Sequence, residues 1–329
     1  MATIRQNDPV GLVLVASLMC LPAAAALMAS AAGPEIVKTG TIDIDVVEAH
    51  YFVWKGRLLR EQWCKAKYKG ERQLPGTHIA IWDVETGKQV SALAQDHAFG
   101  TVFIEGDTAY VVATYDKPGP KRRKQVNLFA SKDLMSWQQW NVIDDPQFNI
   151  CNTSLIKVAD EYVLMFEISK PNVTSWTARF AKSRDLKKWE ILPPEYIHGR
   201  NKMAAPHCLK YHDGYFYNFH VVRHRGYSTF VSRSKDLKQW EDSPLNPVMT
   251  ADEDDRKLAP AVEFTGEQKQ RIATAKDINN SDIDIFEHEG KCLISYSWGN
   301  QHGTEHLAAA VYRGSLGSFL EGWFPAKTE

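Results

Sequence analysis

The heptapeptide Ser-x-Asp-Leu-x-x-Trp occurs three times in this chain, as Ser131-Lys132-Asp133-Leu134-Met135-Ser136-Trp137, Ser183-Arg184-Asp185-Leu186-Lys187-Lys188-Trp189 and Ser234-Lys235-Asp236-Leu237-Lys238-Gln239-Trp240. The copies begin 52 and 51 residues apart. A fixed period of this size marks a repeat architecture, in which each unit buries its apolar face only against its neighbours. Ser and Asp side chains bond nearby backbone N–H groups and hold turns. Leu and Trp are suited to packing between units. The motif therefore reads as scaffold, and its Asp residues are not assigned to chemistry.

A second landmark recurs between the heptapeptides: an apolar strand, a turn with Gly or Asp, then an aromatic or apolar strand. It runs through Phe52–Leu59, Val102–Val112, Leu155–Leu164, Cys208–Tyr217 and Ile283–Ile294, with turns at Gly56, Gly106, Asp160, Gly214 and Gly290. The full heptapeptides follow hairpins two, three and four. Degenerate forms follow the first (Ile81–Gly87) and the fifth (Val311–Phe319). Short β-rich runs separated by turn residues, with hardly a helical period, give an all-β chain. Five units of four short strands predict a five-bladed β-propeller. A six-bladed propeller needs a sixth hairpin, and a β-sandwich needs no motif repeating at this interval. The expected organisation is a signal peptide over 1–31, a linker over 32–44 and one propeller domain over 45–325.

The N-terminus supports export. Arg5 precedes an apolar stretch from Val10 to Met28, and Ala29-Ser30-Ala31 offers the small-x-small pattern of a cleavage site. A retained membrane anchor is the competing reading, because the run approaches the roughly 20 residues that cross a bilayer. Export implies a periplasmic or secreted protein. Beyond the leader stand Cys64, Cys151, Cys208 and Cys292. They permit two disulfides or serve as buried free thiols. With 39 basic against 40 acidic residues the chain has no basic field for nucleic acid. The runs Lys121–Lys124 and Ala251–Asp255 read as solvated loop tips of opposite sign.

Inner strands of a propeller converge on one axis, so residues at equal distance from their turns meet at one mouth. Eight positions before the five turns lie Glu48, Ala98, Asn152, Pro206 and Asp282. Glu48 and Asp282 fall in the first and fifth units, which become neighbours on ring closure. Paired carboxylates of this kind suit glycosidic hydrolysis, whose transition state is oxocarbenium-like. Glu167 interrupts an apolar strand, as a paired structural group or as an acid whose pKa burial raises. Asp96, His97, Asn152, His207 and Asp284 sit in the same register, each of them also open to a turn-capping role. Trp63, Trp176, Tyr227 and Trp298 are candidates for stacking on sugar rings, and His302, in the loop Trp298–Gly303, for contact with a leaving group or a cation. Asn152-Thr153-Ser154 and Asn172-Val173-Thr174 match a glycosylation sequon.

With the repeated heptapeptide and Asp213-Gly214-Tyr215-Phe216-Tyr217 inside the five-unit pattern, the chain resembles the five-bladed propeller glycoside hydrolases of families 43, 32, 62, 117 and 130. The resemblance extends over about residues 45 to 325. It implies cleavage or transfer of glycosidic bonds by carboxylates around a central channel. Its inverting members use an Asp base, a second Asp that tunes the acid, and a Glu acid. Glu48 stands where the base Asp of family 43 would stand. The family's Glu-Gly-Pro before the fourth hairpin is replaced by Ala204-Ala205-Pro206-His207, which leaves Glu167 or His207 to supply the proton. The expectation is an exported glycosidase acting on plant or algal oligosaccharides, with Glu48 and Asp282 as base and charge partner, Glu167 as acid, and a divalent cation in the channel as an open possibility. A non-catalytic carbohydrate-binding propeller and a glycoside phosphorylase, the latter with His220–Arg225 as its phosphate cluster, are the alternatives.

Overall fold

The computed structural model describes residues 32–65, 77–169 and 176–326. The expected signal peptide or anchor and the Asn172 sequon lie outside these residues.

The chain enters on β1 (Val37–Ile44) and then builds antiparallel sheets strand by strand. β2 (Ala49–Trp54), β3 (Arg57–Cys64), β4 (His78–Asp83) and β5 (Gln89–Leu93) form the first. The second contains β6 (His97–Glu105), β7 (Thr108–Tyr115), β8 (Gln125–Ser131) and β9 (Gln138–Asp144), and the third β10 (Asn149–Val158), β11 (Glu161–Ser169), β12 (Thr177–Ser183) and β13 (Glu190–Ile191). β14 (Ala205–His212), β15 (Tyr215–Arg223), β16 (Tyr227–Ser234) and β17 (Glu241–Asp242) follow. One parallel bridge, Tyr227 to Asn279, joins them to β18 (Asn279–His288), β19 (Lys291–Gly299) and β20 (Glu305–Tyr312). Two short helices, α1 (Gly266–Thr274) and α2 (Leu316–Gly322), pack on this last part. Each expected hairpin is present, turning at the expected Gly or Asp.

β1 pairs antiparallel with β20, from Val37 opposite Val311 to Ile44 opposite His306. Residues 37–44 are thus a strand and not the expected linker. The C-terminal chain cannot supply that strand, because Ser315 caps α2 by accepting from the Ser318 N–H. The sheets pack through their first strands: β2 on β6, β6 on β10, β10 on β14, β14 on β18, and β18 back on β2. These inner strands surround a common axis. Apolar clusters fill the seams: Leu59, Ile81 and Val111 share one, Leu128 and Leu164 the next, Phe180 and Leu209 the third, and Phe219 and Ile294 the fourth.

The heptapeptides lock those seams. Ser131 Oγ accepts from Leu134 N at 2.8 Å, and Asp133 Oδ1 accepts from the N–H groups of Met135 and Ser136 at 2.8 Å each. Leu134, Leu186 and Leu237 take positive φ of 61°, 60° and 64°. That conformation is costly for a branched side chain, and the Ser and Asp bonds offset it. It turns each Leu into the preceding sheet, where the three are buried. Trp140 Nε1 donates to Leu186 O across one seam at 2.7 Å. One oxygen of each Asp carboxylate accepts from two backbone N–H groups and the Ser hydroxyl of its own motif, as a scaffold role requires.

Two surface readings change. Asp255, at the end of the acidic run, is fully buried and takes Lys38 Nζ at 2.8 Å and Tyr296 OH at 2.8 Å. The basic run is no free loop tip either: Arg123 Nε binds Asp116 at 2.8 Å and Lys124 Nζ caps Phe148 O at 2.9 Å. Cys151, Cys208 and Cys292 are buried free thiols, and Cys64 is buried as well.

Leu186→Ala empties the seam between the second and third sheets, and truncations of this kind cost about 2–5 kcal/mol. Urea unfolding should show its midpoint well below the parent's, while the exposed neighbour Lys188→Ala stays within about 0.5 kcal/mol.

Candidate functional site

Four inner strands break register at one level near the axis. The interruptions fall between Ala98 and Thr101, Cys151 and Thr153, Pro206 and Cys208, and Ser281 and Asp284. A bulge bends its strand and re-aims the extra side chain. The residues so displaced are Phe99, Asn152, His207 and Asp282, and all four line one cavity of about 500 Å³. Phe99 and Asp282 have φ of 56° and 52°. Gly100, beside Phe99, has room for no side chain: a Cβ would stand 2.6 Å from Glu61 Oε1.

Glu48, just before β2, and Glu167, on β11, complete the floor with Asp282, so the three carboxylates singled out in the sequence share one cavity. Glu48 is 7% exposed and Glu167 4%. Asn152 Nδ2 donates to Glu167 Oε2 at 3.0 Å and stands 3.2 Å from His207 Nδ1. His207 Nδ1 lies 3.1 Å from Asp282 Oδ1, and Ser281 Oγ donates to Asp282 Oδ2. Burial holds His207 down to about 3, so a neutral ring stands beside Asp282.

Burial, then the charge of Asp282, raises Glu167 to about 8. Burial raises Asp282 to about 7 against the hydrogen bond from Ser281, with Glu305 adding repulsion. Glu48 is pushed well above the usual carboxylate range by burial first and by Asp282 second, with Lys65 pulling the other way. Neighbouring carboxylates taken out of water cannot all ionise. The cavity therefore holds both protonated and ionised carboxyl groups near neutral pH. Cys151 also lines it, but burial and then Glu167 raise its thiol far above its ordinary value, which makes it a poor nucleophile.

Trp63, Trp176 and Tyr227 line the cavity, as does His302. Trp63 packs on Phe99 with ring centroids 4.5 Å apart, and Trp176 is 43% exposed. The other expected residues lie elsewhere. Trp298 is fully buried, donates to Thr41 Oγ1 at 3.0 Å, and is core. Its place on β19 opposite Asn280 faces a seam, so it cannot stack on a ligand. His97 is closed in between Gln95 O at 2.8 Å and Asn127 Nδ2 at 2.7 Å. Asp96 holds a positive-φ turn outside the cavity lining, 3.4 Å from Lys117 Nζ.

Asp284 lies beneath the cavity in the channel, bonded to Lys210 Nζ at 3.1 Å and Cys208 Sγ at 3.3 Å, with His50 Nδ1 at 3.5 Å. Against burial, Lys210 and then His50 hold it far below the usual carboxylate range. A divalent cation does not fit against Asp284, because the Lys210 ammonium already compensates its charge. Sequence reasoning missed Lys65, Arg123, Gln301 and Glu305 on the cavity wall. Lys65 pairs with Glu305 at 2.8 Å, and Gln301 Nε2 donates to Ser281 Oγ at 3.0 Å. They stand on later strands and loops, where counting back from the hairpin turns does not reach.

No family model matches the chain, and no curated protein matches it. Solved structures do. BlXynB, a GH43 protein from Bacillus licheniformis, superposes with TM-score 0.56 at 14% identity, over 84% of this chain and 53% of that one. The GH32 beta-fructofuranosidase BmSUC1 of Bombyx mori gives 0.53 at 11%, over 84% and 62%. A further structure titled glycoside hydrolase gives 0.57 at 12%, over 89% and 96%. The chain spans between half and two thirds of the first two relatives' length. At these identities the likeness is one of fold: this chain has the fold of the propeller glycoside hydrolases.

The raised Glu167 carries a stability consequence. Its folded value of about 8 exceeds an unfolded value near 4.3, so the native state binds the extra proton between them and loses stability as pH rises through that window. Glu167→Gln should melt above the parent at pH 8, and the gap should shrink toward pH 5. Melting curves over that range check the sign.

Proposed function

We propose that the protein is a glycoside hydrolase built on a five-bladed propeller, each four-stranded sheet being a blade and β1 completing the last. The observation that carries this reading is the convergence of Glu48, Glu167 and Asp282, all buried and mutually repelling, on one cavity beneath an aromatic wall. Hydrolysis of a glycosidic bond needs a carboxylic acid to protonate the leaving oxygen and a carboxylate to act on the other face of the sugar. Glu167, raised to about 8, keeps its proton at neutral pH and is assigned as the acid. The Asn152 amide orients it.

Glu48 is assigned as the base, with Asp282 as its charge partner. A hydrogen bond from Ser281 holds Asp282 in place with His207 Nδ1 3.1 Å away, and the Lys65 ammonium favours the ionised form of both Glu48 and Asp282. Where family 43 carries its acid, this chain has Ala204-Ala205-Pro206-His207, and Ala205 and His207 line the wall. Glu167 reaches that wall through Asn152, which spans the two residues. Trp63, Trp176 and Tyr227 offer apolar faces for sugar rings. Oligosaccharides from plant or algal polysaccharides are the proposed substrates, and the Val10–Met28 stretch supports export to the periplasm or medium.

The test is hydrolysis of an oligosaccharide panel by the purified protein beside two variants. Glu48→Gln should abolish product release from every substrate. Glu167→Gln should slow poor leaving groups by roughly 10²–10⁴-fold while largely sparing activated aryl glycosides. Equal loss on both substrate types refutes the acid assignment. Sugar binding that survives Glu48→Gln in a protein with no turnover points instead to a binding module, and a rate that needs phosphate points to phosphorolysis.

A second measurement is the pH profile of kcat on a poor leaving group. Loss of the Glu167 proton should bring the alkaline limb down near pH 8. That limb should vanish in Glu167→Gln.

A further inference from the structure

In the seam between the third and fourth sheets, away from the cavity, His198, His220 and Asp242 bring one ligand atom each within 4.8 Å of one another. We propose that these three residues form a binding site for a divalent late first-row cation of the zinc class, which staples the two sheets together. Two imidazoles and one carboxylate are a donor set suited to zinc and its neighbours and poorly suited to calcium or magnesium, which take oxygen ligands. Three protein ligands leave the fourth tetrahedral position to water.

Each donor is held by a different part of the fold. His198 follows the short 3₁₀ turn Pro194–Tyr196 and is clamped to β12 by two backbone bonds with Ala178, each 3.0 Å. Its ring stacks on the indole of Trp240, the last residue of the third heptapeptide, with centroids 4.5 Å apart. His220 stands on β15, edge-on to His198 at 5.1 Å. Asp242 is on the edge strand β17, where Ser232 Oγ donates to its Oδ1 at 2.6 Å.

The outer contacts are those of metal-binding histidines. His220 Nδ1–H donates to Asn218 O at 3.1 Å, which leaves the Nε2 lone pair free. His198 Nδ1 lies 2.8 Å from the Asn218 side-chain amide, and turning that amide over makes its oxygen the acceptor of Nδ1–H. One residue thus orients both rings, as carbonyl and amide groups commonly do behind a metal. His198 is 4% exposed, and its Nε2 is buried with no hydrogen-bond partner. A buried orphan nitrogen is rare without a ligand. Burial keeps both rings neutral, which is the form that ligates: His198 lies well below its ordinary value and His220 falls to about 4.

Lys202 is the group a metal would have to displace. Its Nζ sits 2.6 Å from Asp242 Oδ2, on a side chain 52% exposed to solvent, so it can swing out without burying charge. The loop from His198 through Lys202 leads directly into Met203 and Ala205 of the cavity wall. An ion at this seam therefore tightens one side of the cavity, though the site does not depend on what the cavity does.

Titration of the metal-stripped full-length protein with zinc by calorimetry tests this, with bound metal counted by mass spectrometry. The expected result is one equivalent bound, a higher melting temperature with zinc, and at least tenfold weaker binding by Asp242→Asn, whose exposed position spares the fold. Lys202→Met, which removes the competing ammonium, should bind at least as tightly as the parent. Cobalt in place of zinc should give ligand-field bands without the charge-transfer band of a cysteine thiolate. Absence of stoichiometric binding, equal affinity in Asp242→Asn, or a thiolate band overturns the proposal.

Discussion

Everything at the axis depends on a register break repeated around it. In an unbroken antiparallel strand, side chains alternate strictly between faces. A polar residue near the start of an inner strand would then have to choose between two seams, both filled by apolar side chains. The bulges at Phe99–Gly100, Asn152, His207 and Asp282–Ile283 remove that choice. They lift one side chain per strand out of the alternation and aim it into the open end of the axis. Because they lie at the same level, the lifted groups meet in one cavity. The strain of positive φ at Phe99 and Asp282 is local, and the ladders resume on both sides of the break.

Two layers of charge follow from this geometry, and they differ in kind. One layer down the channel, Asp284 is matched by Lys210 and His50, so it stays ionised and inert. In the cavity layer, carboxyl groups outnumber the cations that could match them. Lys65 is shared with Glu305, and Arg123 is held by Asp116. Burial first, and the surplus negative charge after it, favour protonation there, so Glu167 and Asp282 rise, while Lys210 and His50 hold Asp284 down against the same burial. A compensated layer supports structure. An uncompensated one stores the protons that acid–base chemistry uses.

The sequence was legible where local chemistry dictates geometry. Hairpin turns at Gly56, Gly106, Asp160, Gly214 and Gly290 need residues that tolerate left-handed or tight backbone, so they announce themselves and set the spacing. Counting back from them reached Glu48, Asn152 and Asp282, because in these three units the same eight-residue step separates the turn from the level of the cavity. The same counting misjudged Asp96 and His97, where the chain turns before the strand settles, and Asp284, which a two-residue step past the bulge drops below the cavity. Trp298 was unreadable for a different reason: an aromatic at a strand end looks alike whether it faces a seam or a ligand. The strand β1 was hidden because its partner β20 lies some 270 residues away, and a lone strand carries no turn to mark it.

A division of labour between strands explains what such a scaffold can vary. Asp282 and Glu167 stand on a first and a second strand and Glu48 just before a first strand, backed by ladders and the heptapeptide-locked seams. The aromatic and cationic groups around them come from strand ends and connections: Trp63 and Lys65 at the end of β3, Arg123 before β8, Trp176 before β12, Tyr227 at the start of β16, and Gln301 and His302 after β19. Connections tolerate exchange of residues far better than packed strands do. Ala204–His207 offers no carboxylate, and the raised carboxyl group on this side of the cavity is Glu167 of the neighbouring sheet, whose Oε2 accepts from the Asn152 amide that stands 3.2 Å from His207 Nδ1.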